Sequence, residues 1–209
     1  MPLRKDSRGS RAALALAGAI AALVIAPVAA QAAACNAATP TTKAFSKFGD
    51  TADYALVPGG DFEGGMEGWT LRGPVSVVNG NDGANVLPGK KSLRLAPGAV
   101  VITPEFCVDE SHPHFRYMFK PNMFGASMST IVQYRDASGS TLGLWLQAFS
   151  STNTNLIPGS WKPSGFNPLA LTIPLLQSGG KAATVRLMFI STTGFYSVDN
   201  VLVDPFRTR

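Results

Sequence analysis

Residues 59–71 read Gly-Gly-Asp-Phe-Glu-Gly-Gly-Met-Glu-Gly-Trp-Thr-Leu, which places two carboxylates and a phenylalanine between two pairs of glycines, ahead of a tryptophan. Glycine adopts backbone conformations that other residues avoid, so this segment can turn its main-chain groups in unusual directions. Trp69 begins an apolar run, and we assign it to the core, because a tryptophan that starts a strand in a small sandwich usually packs between the sheets. The segment therefore combines a permissive backbone with side chains that require defined surroundings.

After residue 53 the chain alternates short apolar runs with turns rich in Gly, Pro, Ser and Asn, and it shows no sustained helical periodicity. This spacing predicts an all-β fold in which two sheets pack as a sandwich. We expect a single domain over residues 54–209, preceded by a polar lead-in segment over residues 33–53. The predicted strands cover residues 54–57, 69–78, 92–96, 100–103, 115–120, 128–135, 142–149, 169–175, 183–190 and 195–203.

Four of the predicted strands alternate regularly, which assigns their residues to two faces of what we expect to be one sheet. The predicted core face consists of Phe115, Tyr117, Phe119, Met128, Thr130, Val132, Tyr134, Leu142, Leu144, Leu146, Val185, Leu187 and Phe189. The opposite face is apolar and aromatic with a few polar residues, and we predict a ligand site there. The predicted ligand site consists of Arg116, Gln133, Trp145, Gln147 and Arg186, and Trp145 would be its aromatic platform. The alternative is that residues 150–168 fold over this face, so that Trp145 packs against Trp161.

Three motifs follow one another along the chain. Gly-Gly-Asp-Phe-Glu at 59–63 precedes Gly68-Trp69, Gly-Lys-Lys-Ser-Leu-Arg-Leu spans 89–95, and Phe-Tyr-Ser-Val-Asp-Asn-Val-Leu-Val-Asp spans 195–204. Together they resemble the galactose-binding-domain-like jelly rolls, in particular the carbohydrate-binding modules of secreted bacterial proteins. The resemblance covers about residues 54–204, and it implies a jelly-roll β-sandwich that binds glycans.

The resemblance also implies a metal. In many such modules the first and last strands lie side by side, and a structural calcium ion ties them together. Carried over by position, Glu63 and Asp199 would be carboxylate ligands, and main-chain oxygens near Gly60 and Lys91 would complete the shell. The chain has glycine at position 59, where asparagine is common, and asparagine at position 200, where a second aspartate is common. The alternative is that Glu63 and Asp199 cap turns or form ion pairs at the surface.

The N-terminus has the pattern of a secretory signal peptide. Four basic residues lie within the first eleven positions, an uncharged run spans residues 12–34, and small residues at 30–32 offer a cleavage site. A membrane-spanning helix is the alternative, but Pro27 and the alanine-rich end of the run favour cleavage. We therefore expect residues 1–32 to be removed and the protein to be secreted.

The charge balance gives no reason to expect a nucleic-acid partner. Residues 1–32 hold four of the 18 basic residues and one of the 13 acidic residues, which leaves 14 and 12 in the mature chain, near +2. The sequence pI of about 9.4 therefore mostly reflects the signal peptide.

Cys35 and Cys107 are the two cysteines of the chain. An even count in an exported protein predicts a disulfide between them. The alternative is that Cys35 becomes a lipidated N-terminal residue, which would leave Cys107 as a thiol and attach the protein to a membrane. Without lipidation we expect no membrane contact in the mature form.

The sequence contains no motif that indicates catalysis. His112 and His114 lie close to Asp109 and Glu110, but no further His or Cys is available to complete a metal site there. Adjacent carboxylates on a strand point in opposite directions, so these two cannot form the pair that a glycosidase needs. We predict a non-catalytic binding module for a glycan or cell-wall polysaccharide. The alternative is a structural or protein-interaction domain that uses the same apolar outer face.

Overall fold

The computed structural model describes residues 40–108, 114–135, 141–147, 157–169 and 183–204, with the backbone alone at 141–147 and 183. A short 3-10 helix, Ser46–Phe48, lies between the first two strands. The strands within these ranges are β1 (Thr41–Thr42), β2 (Tyr54–Leu56), β3 (Thr70–Arg72), β4 (Val75–Asn79), β5 (Lys91–Leu95), β6 (Val100–Ile102), β7 (Phe106–Val108), β8 (His114–Pro121), β9 (Ser127–Arg135), β10 (Thr141–Gln147), β11 (Lys162–Pro163), β12 (Asn167–Pro168), β13 (Ala183–Thr193) and β14 (Tyr196–Asp204).

The strands form two antiparallel sheets. In sheet A, β14 has β8 on one side and both β5 and β2 on the other; β1 pairs with β2, β4 with β5, and β11 and β12 with β8. In sheet B the order is β10-β9-β13-β6-β3, and β7 also pairs with β13. The chain crosses repeatedly from one sheet to the other, as in jelly-roll folds. The predicted all-β jelly-roll sandwich is therefore confirmed.

The predicted strand over residues 69–78 is in fact two strands in different sheets. β3 pairs with β6 in sheet B, and β4 pairs with β5 in sheet A. Gly73 makes the crossing with a φ of 74°, and a Cβ atom there would lie 2.8 Å from the carbonyl oxygen of Gly98. Only glycine fits such a crossing without strain. The short strands β1, β7, β11 and β12 are absent from the prediction, because two or three residues leave no periodic signal.

The predicted core faces of β8, β9 and β13 are confirmed. Phe115, Val132 and Leu187 are fully buried in one cluster between the sheets. Two polar groups in this cluster satisfy each other, since the hydroxyls of Tyr117 and Thr130 lie 3.1 Å apart. The core faces of the two sheets therefore pack as the alternation predicts.

The predicted core position of Trp69 is confirmed as well. Its side chain is buried, its ring centroid lies 5.2 Å from that of Phe62, and its Nε1 donates a hydrogen bond to the Pro58 carbonyl at 3.0 Å. Phe62 has a φ of 59°, which is uncommon for phenylalanine, and its side chain is fully buried. The glycine-rich segment is thus anchored in the core through this aromatic pair.

Residues 41–53 pack on the outer face of sheet A instead of merely leading into the domain. Phe45 is fully buried, and its ring lies edge-to-face against Tyr54 at 5.0 Å. A second apolar cluster forms here, made of Ala44, Phe45, Tyr54, Val86, Met118 and Leu202. The predicted boundary between residues 53 and 54 therefore divides residues that pack together.

Some predictions fall outside the described residues. The signal peptide at 1–32 and most of the strand predicted at 169–175 lie there. Cys35, the predicted partner of Cys107, lies there too, and so do three residues of the histidine loop, Asp109, Glu110 and His112. Each of these stays a prediction. In the part of the chain that the structure describes, no helix has the length and apolar character needed to span a membrane.

Candidate functional site

The last strand, β14, changes its partner halfway along its length. Its first half pairs with β5 up to Val198, and its second half pairs with β2 from Leu202 onwards. Against β8 its register shifts between Asp199 and Leu202, and Asn200 has a φ of 50°. The irregularity opens a gap in sheet A between β5 and β2. We call this gap, with residues 57–63, 82, 90–91 and 199–201 around it, the β14 junction.

The glycine-rich segment fills the β14 junction. The Val57 N–H donates to the Val201 carbonyl at 3.0 Å, and the Val201 N–H donates to the Gly60 carbonyl at 3.0 Å. A Cβ atom on Gly60 would lie 2.7 Å from the Val201 oxygen and 2.9 Å from the Val57 oxygen. Glycine is therefore required at this close approach. The first and last long segments lie side by side here, as the resemblance implies.

Two carboxylates are buried at the β14 junction. Asp199 accepts a hydrogen bond from the Asp82 N–H at 2.9 Å and another from the Asn200 N–H at 2.8 Å. Asp82 accepts from the Ala84 N–H at 2.8 Å and from the side-chain amide of Asn200 at 2.6 Å. Within the described residues, no lysine or arginine forms an ion pair with either carboxylate. The two charges are held by neutral donors.

The environment of Asp199 makes its charge costly. Burial is the largest cause that raises the pKa of its carboxyl to about 7. The two hydrogen bonds to Asp199 oppose this shift, whereas the negative charges of Asp82 and Glu63 add to it. A cation beside Asp199 would stabilise the ionised form.

Glu63 is tied to the second motif of the resemblance. Its Oε1 accepts hydrogen bonds from the backbone N–H groups of Lys90 and Lys91, both at 2.6 Å, and the Lys91 Nζ donates to the Glu63 carbonyl at 3.1 Å. The N–H of Lys90 is the largest cause that holds the pKa of Glu63 below its ordinary value. A Cβ atom on Gly89 would lie 2.8 Å from Glu63 Oε1, so the Glu63 side chain would have to shift if this glycine were replaced.

The four residues that the resemblance assigns to calcium meet at the β14 junction. Gly60 bonds to Val201, Glu63 bonds to Lys91, and Glu63 is near enough to Asp199 to affect its pKa. Carboxylate and main-chain oxygens are the ligands that calcium prefers. No group of three or more His, Cys, Asp or Glu residues that could hold a metal occurs in the described ranges. The donors at the junction are of the kind that calcium prefers, and the calcium site stays a prediction.

Arg116 does not join the other predicted ligand residues. It lies on β8 in sheet A, whereas Gln133 and Arg186 lie on β9 and β13 in sheet B. The prediction of one sheet built from these strands is therefore wrong. β8 and β9 alternate in the same way, but consecutive strands of a sandwich can belong to different sheets, and alternation does not reveal which.

The guanidinium of Arg116 is buried and joins three segments. It pairs with Asp50, and its Nε and Nη2 donate to the Ser164 carbonyl at 3.1 and 2.9 Å. It also lies over the rings of Phe45 and Phe166, at 4.5 and 4.6 Å from their centroids. These contacts fix residues 45–50 and 162–168 on sheet A. The outer face of sheet A around β8 is thus closed by the chain itself.

The described part of the 150–168 loop also lies on sheet A. Residues 162–163 and 167–168 pair with β8, and Trp161 packs against the second apolar cluster with the Lys120 ammonium 4.8 Å from its ring centroid. Trp145 belongs to β10 in sheet B. The predicted contact between Trp145 and Trp161 therefore does not match the strand order.

The register of β10 does not align its residues with β9 as the predicted faces require. Trp145 is opposite Val132 and Gln147 is opposite Thr130, and both partners have core side chains. Residues directly opposite each other in a ladder share a face, so the backbone register aligns 145 and 147 with core residues of β9 and not with Gln133. An irregularity between Thr141 and Gly143 shifts the register by one residue. Trp145 and Gln147 are therefore not aligned with Gln133, and their predicted role as ligand residues stays a prediction.

The outer face of sheet B, by contrast, is partly accessible to solvent. An apolar row crosses it through Ile131, Met188 and Ile102, which are opposite one another on β9, β13 and β6. On one side of this row Gln133 is opposite Arg186. The other side carries Ser129, Ile190, Val100 and Arg72 in register. Two of the predicted ligand residues, Gln133 and Arg186, thus lie together on this face.

Arg186 is held in place by a carboxylate. Glu105 Oε1 lies 2.7 Å from Arg186 Nη2 and 2.8 Å from Arg135 Nη1, so one carboxylate orients two guanidinium groups. The Nε of Arg186 is buried and has no hydrogen-bond partner among the described residues. Arginine forks of this kind bond hydroxyl and carboxylate oxygens. The face therefore presents an oriented cation beside an apolar row.

Sequence reasoning missed Asp82 and Glu105 as site residues. Asp82 sits in Asn-Gly-Asn-Asp-Gly at 79–83, a turn sequence that gave no sign of contact with a residue far along the chain. Glu105 follows Pro104 and precedes the short strand β7, which was not predicted either. Both act through long-range contacts, and a single sequence carries little signal for such contacts.

Comparison with known proteins shows structural similarity alone. No family model matches the chain, and no curated protein matches its sequence. One similar structure is the CBM22-1 xylan-binding domain from Paenibacillus barcinonensis Xyn10C, with a TM-score of 0.42 and 16% identity over 69% of this chain and 89% of that one. Another is the family 11 carbohydrate-binding module of Lic26A-Cel5E from Clostridium thermocellum, with a TM-score of 0.43 and 13% identity over 81% and 96%.

A domain of a different kind is also similar. It is the enzymatically active domain of tailspike protein 4 from bacteriophage CBA120, with a TM-score of 0.43 and 19% identity over 69% of this chain and 20% of that one. The similar structures thus include carbohydrate-binding modules, the class that the sequence resembles. At these TM-scores and identities the fold assignment rests on the two sheets described above, and any function must rest on the geometry of the site.

Proposed function

We propose that the chain is a secreted, non-catalytic module that binds a glycan or cell-wall polysaccharide on the outer face of sheet B. The observation that carries the proposal is the contrast between the two outer faces. The outer face of sheet A around β8 is covered by residues 44–52, 84–87 and 161, while the apolar row of sheet B and its flanking Gln133 and Arg186 remain partly accessible. Sugars offer apolar C–H faces beside hydroxyl groups, which suits such a surface.

Arg186 supplies the directional contacts in this proposal. Glu105 fixes its guanidinium, so little side-chain entropy is lost when a hydroxyl binds. The second candidate function, a protein-interaction domain, is supported by the row of Ile131, Met188 and Ile102, which a protein partner could also bury.

The test is retention by polysaccharides in affinity gels, over a panel of soluble cell-wall glycans. The variants Gln133→Ala and Arg186→Ala should each weaken retention by about tenfold or more, because each removes a directional hydrogen bond in a desolvated contact. Glu105 keeps Arg135 as its partner in Arg186→Ala, so the fold should tolerate the change. Arg94→Ala, an exposed arginine on sheet A, is the matched control and should leave retention unchanged. A wild type that no glycan retains would overturn the proposal.

A structural calcium ion at the β14 junction is part of the proposal. Glu63, Asp199 and main-chain oxygens of Gly60 and Lys91 would hold it, and it would neutralise the charge buried with Asp199. Support comes from the raised pKa of Asp199 and from the absence of a basic partner for it among the described residues. The ion would tie the segment at 57–63 to β14.

A further inference from the structure

One end of the sandwich carries exposed apolar side chains that neither the core nor the glycan face uses. Phe124 is 69% exposed, Ile157 is 62% exposed and Met123 is 47% exposed. We call these three side chains the apolar tip. Single exposed apolar residues are common on protein surfaces, but a group of large ones at one end marks an interaction surface.

The apolar tip is held by main-chain hydrogen bonds. The Gly159 N–H donates to the Pro121 carbonyl at 2.8 Å, which places residues 157–159 beside the turn between β8 and β9. The Asn122 N–H donates to the Phe195 carbonyl at 3.0 Å, and the Phe195 N–H donates to Asn122 Oδ1 at 2.6 Å. The turn that carries Met123 and Phe124 is therefore fixed to β14 and to the 157–159 segment.

Two basic side chains, Arg94 and Lys120, lie near the apolar tip. Lys120 and Arg94 are both opposite Ser197, one on each side of β14. The Arg94 guanidinium lies 4.6 Å from the Phe195 ring centroid, close to the turn. The described residues at this end, 94–98, 120–127, 157–162 and 192–197, include no aspartate or glutamate. The surface would therefore favour a partner that is both apolar and negatively charged.

We propose that the apolar tip docks on an anionic phospholipid membrane, with Phe124, Ile157 and Met123 in the interface and Arg94 and Lys120 near the headgroups. A protruding tip does not enclose a small ligand, and three side chains bury far less than the roughly 800 Å² per partner of a standard protein interface. A lipid interface requires no complementary shape, and it rewards apolar contact and positive charge together. The sequence alone predicts no membrane contact without lipidation, because exposure of these side chains cannot be seen in it.

Vesicle co-sedimentation of the full chain tests this proposal. The probes are vesicles of phosphatidylcholine alone and of phosphatidylcholine mixed with phosphatidylglycerol. The double variant F124S/I157S should bind the anionic vesicles at least about tenfold more weakly than wild type, since both apolar anchors are lost. The matched control is F48S, because Phe48 is 41% exposed elsewhere on the molecule. All variants share the same N-terminal residues, so a difference in binding between them reports the apolar tip.

A second variant separates charge from apolar contact. R94Q/K120Q should reduce binding to the anionic vesicles, leave binding to neutral vesicles unchanged, and remove most of the salt dependence. Equal binding of wild type and F124S/I157S would overturn the proposal, as would equal binding to both kinds of vesicle. A wild-type dimer that F124S/I157S converts to a monomer, without vesicle binding, would show that the tip binds a second copy and would also overturn it. Polysaccharide retention should be unaffected, so the two proposals fail independently.

Discussion

The guanidinium of Arg116 is paired with the carboxylate of Asp50, and their side chains are only 7% and 8% exposed. Asp50 also accepts a hydrogen bond from the Tyr54 hydroxyl at 2.6 Å. Burial by itself would raise the pKa of Asp50, but the hydrogen bonds from Tyr54, the Ala52 N–H and Arg116 together hold it below the ordinary value. The pair therefore stabilises the fold above the unfolded-state pKa, and this contribution is lost as the pH falls through the lowered value.

We expect Arg116→Ala to lower the free energy of unfolding by about 3–5 kcal/mol, because it leaves the buried Asp50 without its cation and the Ser164 carbonyl without two donors. Arg116→Lys should recover part of this loss, since lysine keeps the charge but cannot reproduce the planar contacts with Phe45 and Phe166. Urea unfolding measures the effect. With Arg94→Ala as the exposed control, a loss below about 1 kcal/mol for Arg116→Ala would contradict the structural role.

Gly60 offers a test of the β14 junction with a matched control nearby. A Cβ atom at Gly60 meets two carbonyl oxygens within 2.9 Å, whereas one at Gly64 meets nothing within 4 Å. We expect Gly60→Ala to destabilise the protein by about 2 kcal/mol or more, because backbone must move to relieve the contact. Gly64→Ala should change stability by less than about 1 kcal/mol. Thermal unfolding compares the two, and similar melting temperatures would argue against the close approach.

The sequence predicts the sandwich well because alternation reports burial directly. The faces of β9 and β13 follow from period-two patterns such as Met128, Thr130, Val132 and Tyr134, which are all buried. The junction of the first and last strands follows from the motifs of the resemblance, which places Glu63 beside Lys91. The strand faces depend on neighbouring residues in the sequence, and the junction depends on short motifs that occur in a fixed order, so a single sequence can reveal both.

The ligand face was harder to predict, for two physical reasons. Alternation assigns a residue to a face of its strand but does not say which sheet the strand joins, and Arg116 was misplaced on that account. One irregularity near Gly143 then shifts the register of the rest of β10 by one residue, so that Trp145 is opposite Val132. Neither the sheet order nor the irregularity leaves a periodic signal in a single sequence.

The raised pKa of Asp199 predicts a pH dependence of stability in the absence of calcium. The folded-state pKa of about 7 lies above the ordinary value for an aspartate, so the folded protein binds this proton more tightly than the unfolded chain does. Stability should therefore fall as the pH rises from about 4 through about 7. Chemical unfolding with a chelator present measures the slope. Asp199→Asn should be less stable at low pH, since it loses one acceptor, but it should lack this slope. A wild type without the slope would show that Asp199 ionises freely when folded.

Added calcium should reverse that loss of stability if the β14 junction holds the ion. Calcium binds the ionised carboxylate, so it should raise the melting temperature clearly at about pH 8 and much less at about pH 5, where the proton on Asp199 competes. At a hundredfold excess over its Kd the ion would add about 2.7 kcal/mol to the free energy of unfolding.

The variants Glu63→Gln and Asp199→Asn should each lose most of the calcium effect, because each removes a carboxylate from the junction. Glu67→Gln, at an exposed position of the same glycine-rich segment, is the matched control and should keep the effect. Differential scanning calorimetry with calcium, with magnesium and with chelator distinguishes a specific site from general screening of charge. If wild type melts at the same temperature with calcium and with chelator at pH 8, then Glu63 and Asp199 only fasten the segment at 57–63 to its neighbours through their backbone hydrogen bonds.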